Sequence, residues 1–168
     1  SQSVGMGTQL YRSHALFASE FDRCARIVKQ LRPELRDLRE LAFGADPCAQ
    51  AAAAADAEET EDANDWLTDA EYAHPVFFAL EYALARLWQA LGVQPTVVAG
   101  HSLGEYAAAC IAGVMELEDA LRLVTCRAEL IKTLAGGSML SIALGEADAR
   151  ARLAESGLEL DLAAVNGR

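Results

Sequence analysis

The sequence predicts an α/β layer structure, and three observations predict it. From Val76 onward, segments with helical and strand-like patterning follow one another in the order helix, strand, helix, helix, strand, helix, strand. The run Thr96-Val97-Val98-Ala99 is short, apolar and rich in β-branched residues, as strands buried in a parallel sheet are. It passes without a linker into a helix-patterned segment through Gly100-His101-Ser102-Leu103-Gly104, a G-x-S-x-G pattern that suits a sharp strand-to-helix turn.

Each element has its own justification. Between Thr8 and Leu31 the apolar residues Leu10, Leu16, Phe17, Phe21, Cys24, Ile27, Val28 and Leu31 fall mostly at helical spacing, which predicts one helix. Pro33 opens a new segment, and Glu34 to Phe43 reads as a short amphipathic helix stopped at Gly44. Ala45 to Asp65 is alanine-rich and then acidic (Asp56, Glu58, Glu59, Glu61, Asp62, Asp65), a solvated loop or frayed helix. The stripe Val76, Phe77, Leu80, Ala83, Leu84, Leu87, Trp88 and Leu91, ended by Gly92, predicts a core helix. Leu103 to Ala112 and Leu117 to Leu134 read as helices separated at Gly113. Met139 to Leu144 and Leu160 to Val165 read as strands flanking a helix over Glu146 to Glu155. No internal repeat is evident.

Composition bounds the function. A chain of 168 residues at 52% hydrophobic buries one sizeable core and is too short for two ordinary domains, so one domain, or part of one, is expected. A net charge of -11 lacks the basic footprint that nucleic-acid binding requires. The longest uncharged apolar run, Leu91 to Ser102, is about a dozen residues against the roughly 20 of a membrane span, so neither nucleic acid nor membrane is an expected partner. Ser1 opens a polar segment with no signal-peptide pattern. Cys24, Cys48, Cys110 and Cys126 show no C-x-x-C pair or metal spacing, which points to reduced thiols in a cytoplasm and to no metal site.

The chemistry centres on Ser102. A sharp turn between strand and helix pushes a serine hydroxyl out of the sheet, and side chains at Gly100 and Gly104 are expected to collide with neighbouring backbone. The helix N-terminus behind it supplies N–H groups for negative charge on a substrate oxygen. Helix capping is the plain alternative for Ser102, and the surrounding strand and helix favour the nucleophile. A serine nucleophile needs a base, and the chain offers His14, His74 and His101. His14 reads as a solvated helix residue. His101 adjoins Ser102 on the turn and is expected to point elsewhere. His74 precedes Pro75 at the start of the long helix, as a helix-entry residue or as a base.

The run GHSLGEYAAACIAGVMELEDALRLVTCRAEL, preceded by HPVFFALEYALARLWQALGVQPTVVAGHS, resembles the malonyl-type acyltransferase domain of polyketide synthases. It is similar also to the malonyl-CoA:acyl carrier protein transacylases of fatty acid synthesis. SQSVGMGTQLY resembles the tail of the family's opening G-Q-G-S-Q motif, GGSMLSIAL its G-A-M-L-A-V strand, and AAVNGR its A-A-V-N-G-P. The resemblance implies an α/β-hydrolase-like core with a parallel sheet and a nucleophile elbow. Residues 1–168 are then the first part of an acyltransferase domain, with the ferredoxin-like small subdomain starting near residues 138–168 and otherwise absent.

Carried over by position, the resemblance makes Ser102 the nucleophile and the backbone N–H of Leu103 one oxyanion-hole donor. Arg127, 25 residues past the serine, matches the arginine that binds the free carboxylate of malonyl. A planar guanidinium can grip a carboxylate through two parallel hydrogen bonds, although without the family Arg127 reads as an ordinary surface residue near Glu129 and Arg122. Leu103 stands where malonyl-selective members differ from methylmalonyl-selective ones, which usually carry glutamine. His74 replaces a common glutamine and, with His101, is a possible residue lining the site.

The sequence also departs from the pattern. Ser1-Gln2 match only the last two positions of G-Q-G-S-Q, whose first glutamine supplies the other oxyanion donor in the family. The family's general-base histidine is expected beyond Arg168, and Gly167-Arg168 lacks the usual proline. The implied activity is ping-pong transfer of a malonyl extender unit from malonyl-CoA to the phosphopantetheine thiol of an acyl carrier protein, beside other polyketide synthase domains, with no metal or redox cofactor. Two alternatives remain. A serine thioester hydrolase would share the elbow without needing Arg127, and a non-catalytic structural fragment of a synthase would keep the elbow as scaffold.

Overall fold

A computed structural model of the chain describes residues 3, 5–44 and 65–167, the side chain of Asp65 excepted. Ser1-Gln2, Cys48, the acidic positions 56 to 62 and Arg168 lie outside the described residues. The chain divides into two compact units, Ser1–Leu134 and Ala135–Arg168.

The first unit is built on three helices. The expected helix over 8–31 is two, α1 (Thr8–Ser13) and α2 (Ala15–Leu31), because the chain leaves helical geometry at His14 with φ -126° and ψ 99°. Ser13 Oγ turns back to donate to the Gln9 carbonyl at 2.7 Å and meets His14 Nδ1 at 2.8 Å, side-chain competition that favours a break. His14 is therefore a solvated junction residue and not a helix residue. The next helix, α3 (Leu38–Phe43), starts later than its periodicity suggests because the Asp37 carboxylate caps it, accepting from the Arg39 N–H at 2.9 Å. A turn of 3-10 helix, Asp65–Leu67, leads to α4 (Ala70–Ala90), capped by Asp69.

Because α4 begins at Ala70, Pro75 sits inside the helix and His74 lies in its second turn, not at its entry. Its C-terminus closes as a Schellman motif. Gly92 takes φ 92°, its N–H bonds the Gln89 carbonyl at 3.0 Å, and the Val93 N–H bonds that of Trp88 at 3.0 Å. Two further helices follow, α5 (Gly104–Ile111) and α6 (Leu117–Lys132). The core lies where α4 packs between α2 and α6, and Phe17, Phe21, Phe78, Val76, Leu121 and Val124 are among its fully buried side chains. Each such burial is worth about 1.5–3 kcal/mol, which is why the helical stripes read from sequence are the ones facing this seam.

The stripe on α4 is only partly core. Leu84, Trp88 and Leu91 are 38%, 53% and 65% exposed, because α2 and α6 cover the other faces of the helix. Trp88 instead lines an apolar groove of about 890 Å³ with Val93, Val97 and Ile111. In the second unit, α7 (Glu146–Ser156) ends at Gly157, which takes φ 64°.

The expected strands Thr96–Ala99, Met139–Leu144 and Leu160–Val165 are not strands in this structure, and among the described residues there is no sheet. A strand is defined by its ladder, and no neighbouring segment among the described residues pairs with these backbones. Val97, Met139 and Leu140 are accordingly 84%, 87% and 87% exposed. No helix among the described residues is long and apolar enough to cross a membrane. Cys24, Cys110 and Cys126 are free thiols, and burial pushes the Cys24 thiol well above its ordinary range.

An ion network ties the three main helices together. Arg32, at the end of α2, meets Glu71 at 3.0 Å and Glu129 at 3.4 Å, and Lys132 of α6 pairs with Glu71 and, at 3.3 Å, with Asp69. Lys132 first, and then Arg32, hold the Glu71 carboxyl below its ordinary value of 4.5. A carboxyl with a lowered folded value stabilises the fold above its unfolded value, and the contribution is lost as pH falls through the folded one. Glu71→Gln is expected to cost about 1 kcal/mol at neutral pH, since Lys132 is solvated, and to flatten the acid limb of stability between pH 4.5 and the lower folded value. Denaturant unfolding of both proteins across that range, at low and high salt, checks it.

Candidate active site

The site is built where the backbone reverses at the N-terminus of α5. Ser102 takes φ 53°, the one non-glycine residue with positive φ among those described. Such a backbone costs about 1–3 kcal/mol and persists only where the surroundings impose it. Gly100 is part of that imposition. A Cβ there would stand 2.2 Å from Gly104 C and O and 2.3 Å from Glu105 N, so only glycine lets the incoming segment pass so close to the first turn of α5. Gly104 is different from expectation. A Cβ at Gly104 would meet nothing nearer than Glu81 Oε2 at 3.9 Å, an ordinary contact, because this glycine is already helical and its Cβ direction meets only that side chain.

The turn is held by Gly104 N–H donating to the His101 carbonyl at 3.0 Å and Glu105 N–H to the Ser102 carbonyl at 3.2 Å. The N–H of Leu103 has no acceptor among the described residues. It is thus a free donor beside the Ser102 hydroxyl, at the positive end of α5. Ser102 itself is exposed, and with His74, His101, Leu103 and Gly104 it lines a cavity of about 390 Å³. The far wall is one face of α4, where Ala70, Ala73, His74, Phe77, Leu80 and Glu81 recur at helical spacing.

Arg127 of α6 reaches two residues that line this cavity, Ser102 and His74. Its Nη2 donates to Ser102 Oγ at 3.3 Å, its Nη1 lies 3.2 Å from His74 Nδ1, and its Cζ lies 6.0 Å from the centre of the Tyr106 ring. Among the described residues no carboxylate forms an ion pair with it. A half-buried guanidinium whose contacts are all neutral retains its charge for an anionic ligand. Burial, and then the Arg127 cation, hold the His74 imidazole below its ordinary value of 6.5, so it is neutral at physiological pH. Burial pushes the Glu81 carboxyl up. Among the described residues no group of three or more His, Cys, Asp or Glu side chains is placed to hold a metal ion.

The sequence profile of the acyl transferase domain matches residues 1–168. The chain belongs to the acyl transferase domain family. It is 39% identical over 169 residues to mycoketide-CoA synthase of Mycobacterium tuberculosis, covering 99% of this chain and 4% of that synthase. Among solved structures it is similar to the acyltransferase domain from the second module of the salinomycin polyketide synthase, with 40% identity, a TM-score of 0.76, and 99% of this chain and 34% of that one covered. It is similar also to an acyl carrier protein S-malonyltransferase from Vibrio cholerae, with 31% identity and a TM-score of 0.60 over 82% of this chain and 38% of that one. The acyl transferase chain thus spans about a third of the solved domains it matches and a small fraction of the curated synthase.

In this acyl transferase chain the fold brings Ser102, Leu103, His74 and His101 onto one cavity, and Arg127 onto Ser102 and His74. It leaves His14 elsewhere. Tyr106 beneath Arg127 and Glu81 on the cavity wall are site residues that sequence reasoning missed. Spacing could have found Glu81, seven residues after His74 on the same helix, a separation that returns to one helix face, whereas Ser102 lies before α5 and its spacing to Tyr106 carries no such signal.

Proposed function

We propose that Ser102 accepts a malonyl unit from coenzyme A as an ester and passes it to the phosphopantetheine thiol of an acyl carrier protein, within a polyketide synthase. The observation that carries this reading is Arg127. A carboxylate gripped by a guanidinium 3.3 Å from Ser102 Oγ would set the thioester at the other end of a three-carbon acyl group against the nucleophile. The Ser102 oxygen would attack the thioester carbonyl while its proton passes to a general base, a histidine that the family carries after the A-A-V-N-G segment. The Leu103 N–H would stabilise the tetrahedral oxyanion, and the coenzyme A thiol would leave. The carrier thiol would then repeat the sequence in reverse. Leu103, on the cavity wall, would favour malonyl over its bulkier methyl homologue.

The same reading assigns Thr96–Ala99 to a strand of a parallel sheet in an α/β-hydrolase-like core, and residues 138–167 to the start of a ferredoxin-like small subdomain. The likeness over 99% of its length to an acyltransferase domain supports the first, and the division of the chain after Leu134 is consistent with the second. The test is intact-protein mass after brief exposure of the full-length protein to malonyl-CoA. Arg127→Ala is expected to lower malonyl loading by on the order of a hundredfold, toward the low end of the about 2–5 kcal/mol lost when one partner of a buried charge pair is removed, because Arg127 is half-buried. Loading by acetyl-CoA, which has no carboxylate, should change little. Equal malonyl loading by both proteins would overturn the carboxylate-binding role and favour a serine thioester hydrolase.

A further inference from the structure

His74 is the contact of Arg127 that the transfer chemistry does not use. The imidazole sits in the second turn of α4, half-buried, with Nδ1 at 3.2 Å and Nε2 at 3.5 Å from Arg127 Nη1. With Nδ1 and Nε2 both close to the same Nη1, the guanidinium lies against the ring and not in line with one lone pair, and burial, together with a cation so placed, favours the neutral ring. Arg127 thereby has one arm tied to α4 and the other to Ser102. A long side chain anchored at both arms is pre-organised for a planar carboxylate, whereas a free one pays rotamer entropy at each binding event.

We propose that His74 is a positioning residue whose neutral imidazole holds one arm of the Arg127 guanidinium, and that protonating it releases the arm and lowers selectivity for acyl groups bearing a free carboxylate. The inference rests on the carboxylate-binding reading of Arg127. The charged and titratable groups around His74 fit it. From α6 the facing group is the Arg127 cation itself; from the turn before α5 it is His101, which lines the same cavity; from α5 it is Tyr106, against Arg127. On α4, Glu81 lines the cavity two turns on, while Asp69 and Glu71 are engaged by Lys132 and Arg32. The nearest charge is therefore positive, and a second positive charge 3.2 Å from it has no hydrogen bond to offer.

The experiment is competition between malonyl-CoA and acetyl-CoA for Ser102 in the full-length protein, read by intact mass from about pH 5 to pH 8. The adduct ratio reports the ratio of the two kcat/KM values, so titration of a base common to both substrates cancels. The malonyl carboxylate stays ionised over this range. The wild-type ratio is expected to be level at neutral pH and to fall roughly tenfold as pH drops below 6.5, the size expected for one charge-assisted hydrogen bond. His74→Gln, a neutral amide that can face the guanidinium and accept from it without titrating, should keep the neutral-pH ratio and remove the acid limb. His74→Ala should lower the ratio about tenfold at every pH. An acid limb that persists in His74→Gln overturns the proposal, as does a wild-type ratio in His74→Ala. If His74→Ala does not fold, the His74→Gln profile decides alone. Arg127→Ala separates the two levels of the argument: an unchanged ratio there sinks the carboxylate reading and this inference with it. A collapsed ratio there, with no effect of His74 substitutions, sinks this inference only.

Discussion

Ser102→Ala is expected to abolish the malonyl adduct while leaving the fold intact. The prediction rests on the hydroxyl lining the cavity, next in sequence to the Leu103 N–H and hydrogen-bonded by the Arg127 guanidinium. Removing a nucleophile of this kind typically costs a factor of about a million in turnover. Stability should move in the opposite sense or not at all, since an exposed hydroxyl at φ 53° contributes one 3.3 Å bond from Arg127 and no burial. Intact mass after malonyl-CoA, with thermal unfolding of the same sample, reads both. An adduct that survives in Ser102→Ala would place the acyl group on another residue and end the nucleophile assignment.

The second large effect separates two glycines of one motif. Gly100→Ala is expected to destabilise the first unit by about 3 kcal/mol or more and to eliminate loading, because the new methyl group would fall 2.2 Å from backbone atoms of Gly104. Those atoms cannot yield without opening the first turn of α5, which holds Ser102 and the Leu103 N–H in place. Gly104→Ala should be within about 1 kcal/mol of wild type in stability, with helix propensity favouring alanine and only Glu81 Oε2 at 3.9 Å to meet it. Far-ultraviolet circular dichroism melts of the two variants make the comparison. Equal tolerance at both positions would contradict the close approach at Gly100.

The legible parts of this protein are those written in local pattern. The helices α2, α4 and α6 follow from apolar residues returning to one face every three or four positions, and Gly92 closes α4 where its stripe stops. The elbow was readable because G-x-S-x-G followed a β-branched run and preceded an alanine-rich helix. Side-chain chemistry that competes with the backbone was not readable from period alone. Ser13 bonding back to Gln9 splits the first helix, Asp37 delays α3, and Pro75 fails to start α4 because Asp69 caps it six residues earlier. The strands were read from residue type, yet a strand exists only by pairing, and Thr96–Ala99, Met139–Leu144 and Leu160–Val165 have no pairing partner among the described residues.

By itself the amino-acid sequence determined the helical stripes, the glycine-flanked serine and the family to which the chain belongs, since all three are carried by residue types at fixed short spacings. Only the tertiary structure decided that Arg127 and His74 meet beside Ser102. They lie 53 residues apart on α6 and α4, and nothing in their own neighbourhoods along the chain relates them. It is the packing of those two helices, driven by Phe78, Leu121, Val124 and their neighbours, that brings a cation with no carboxylate partner among the described residues onto the hydroxyl of Ser102 and onto the imidazole of His74.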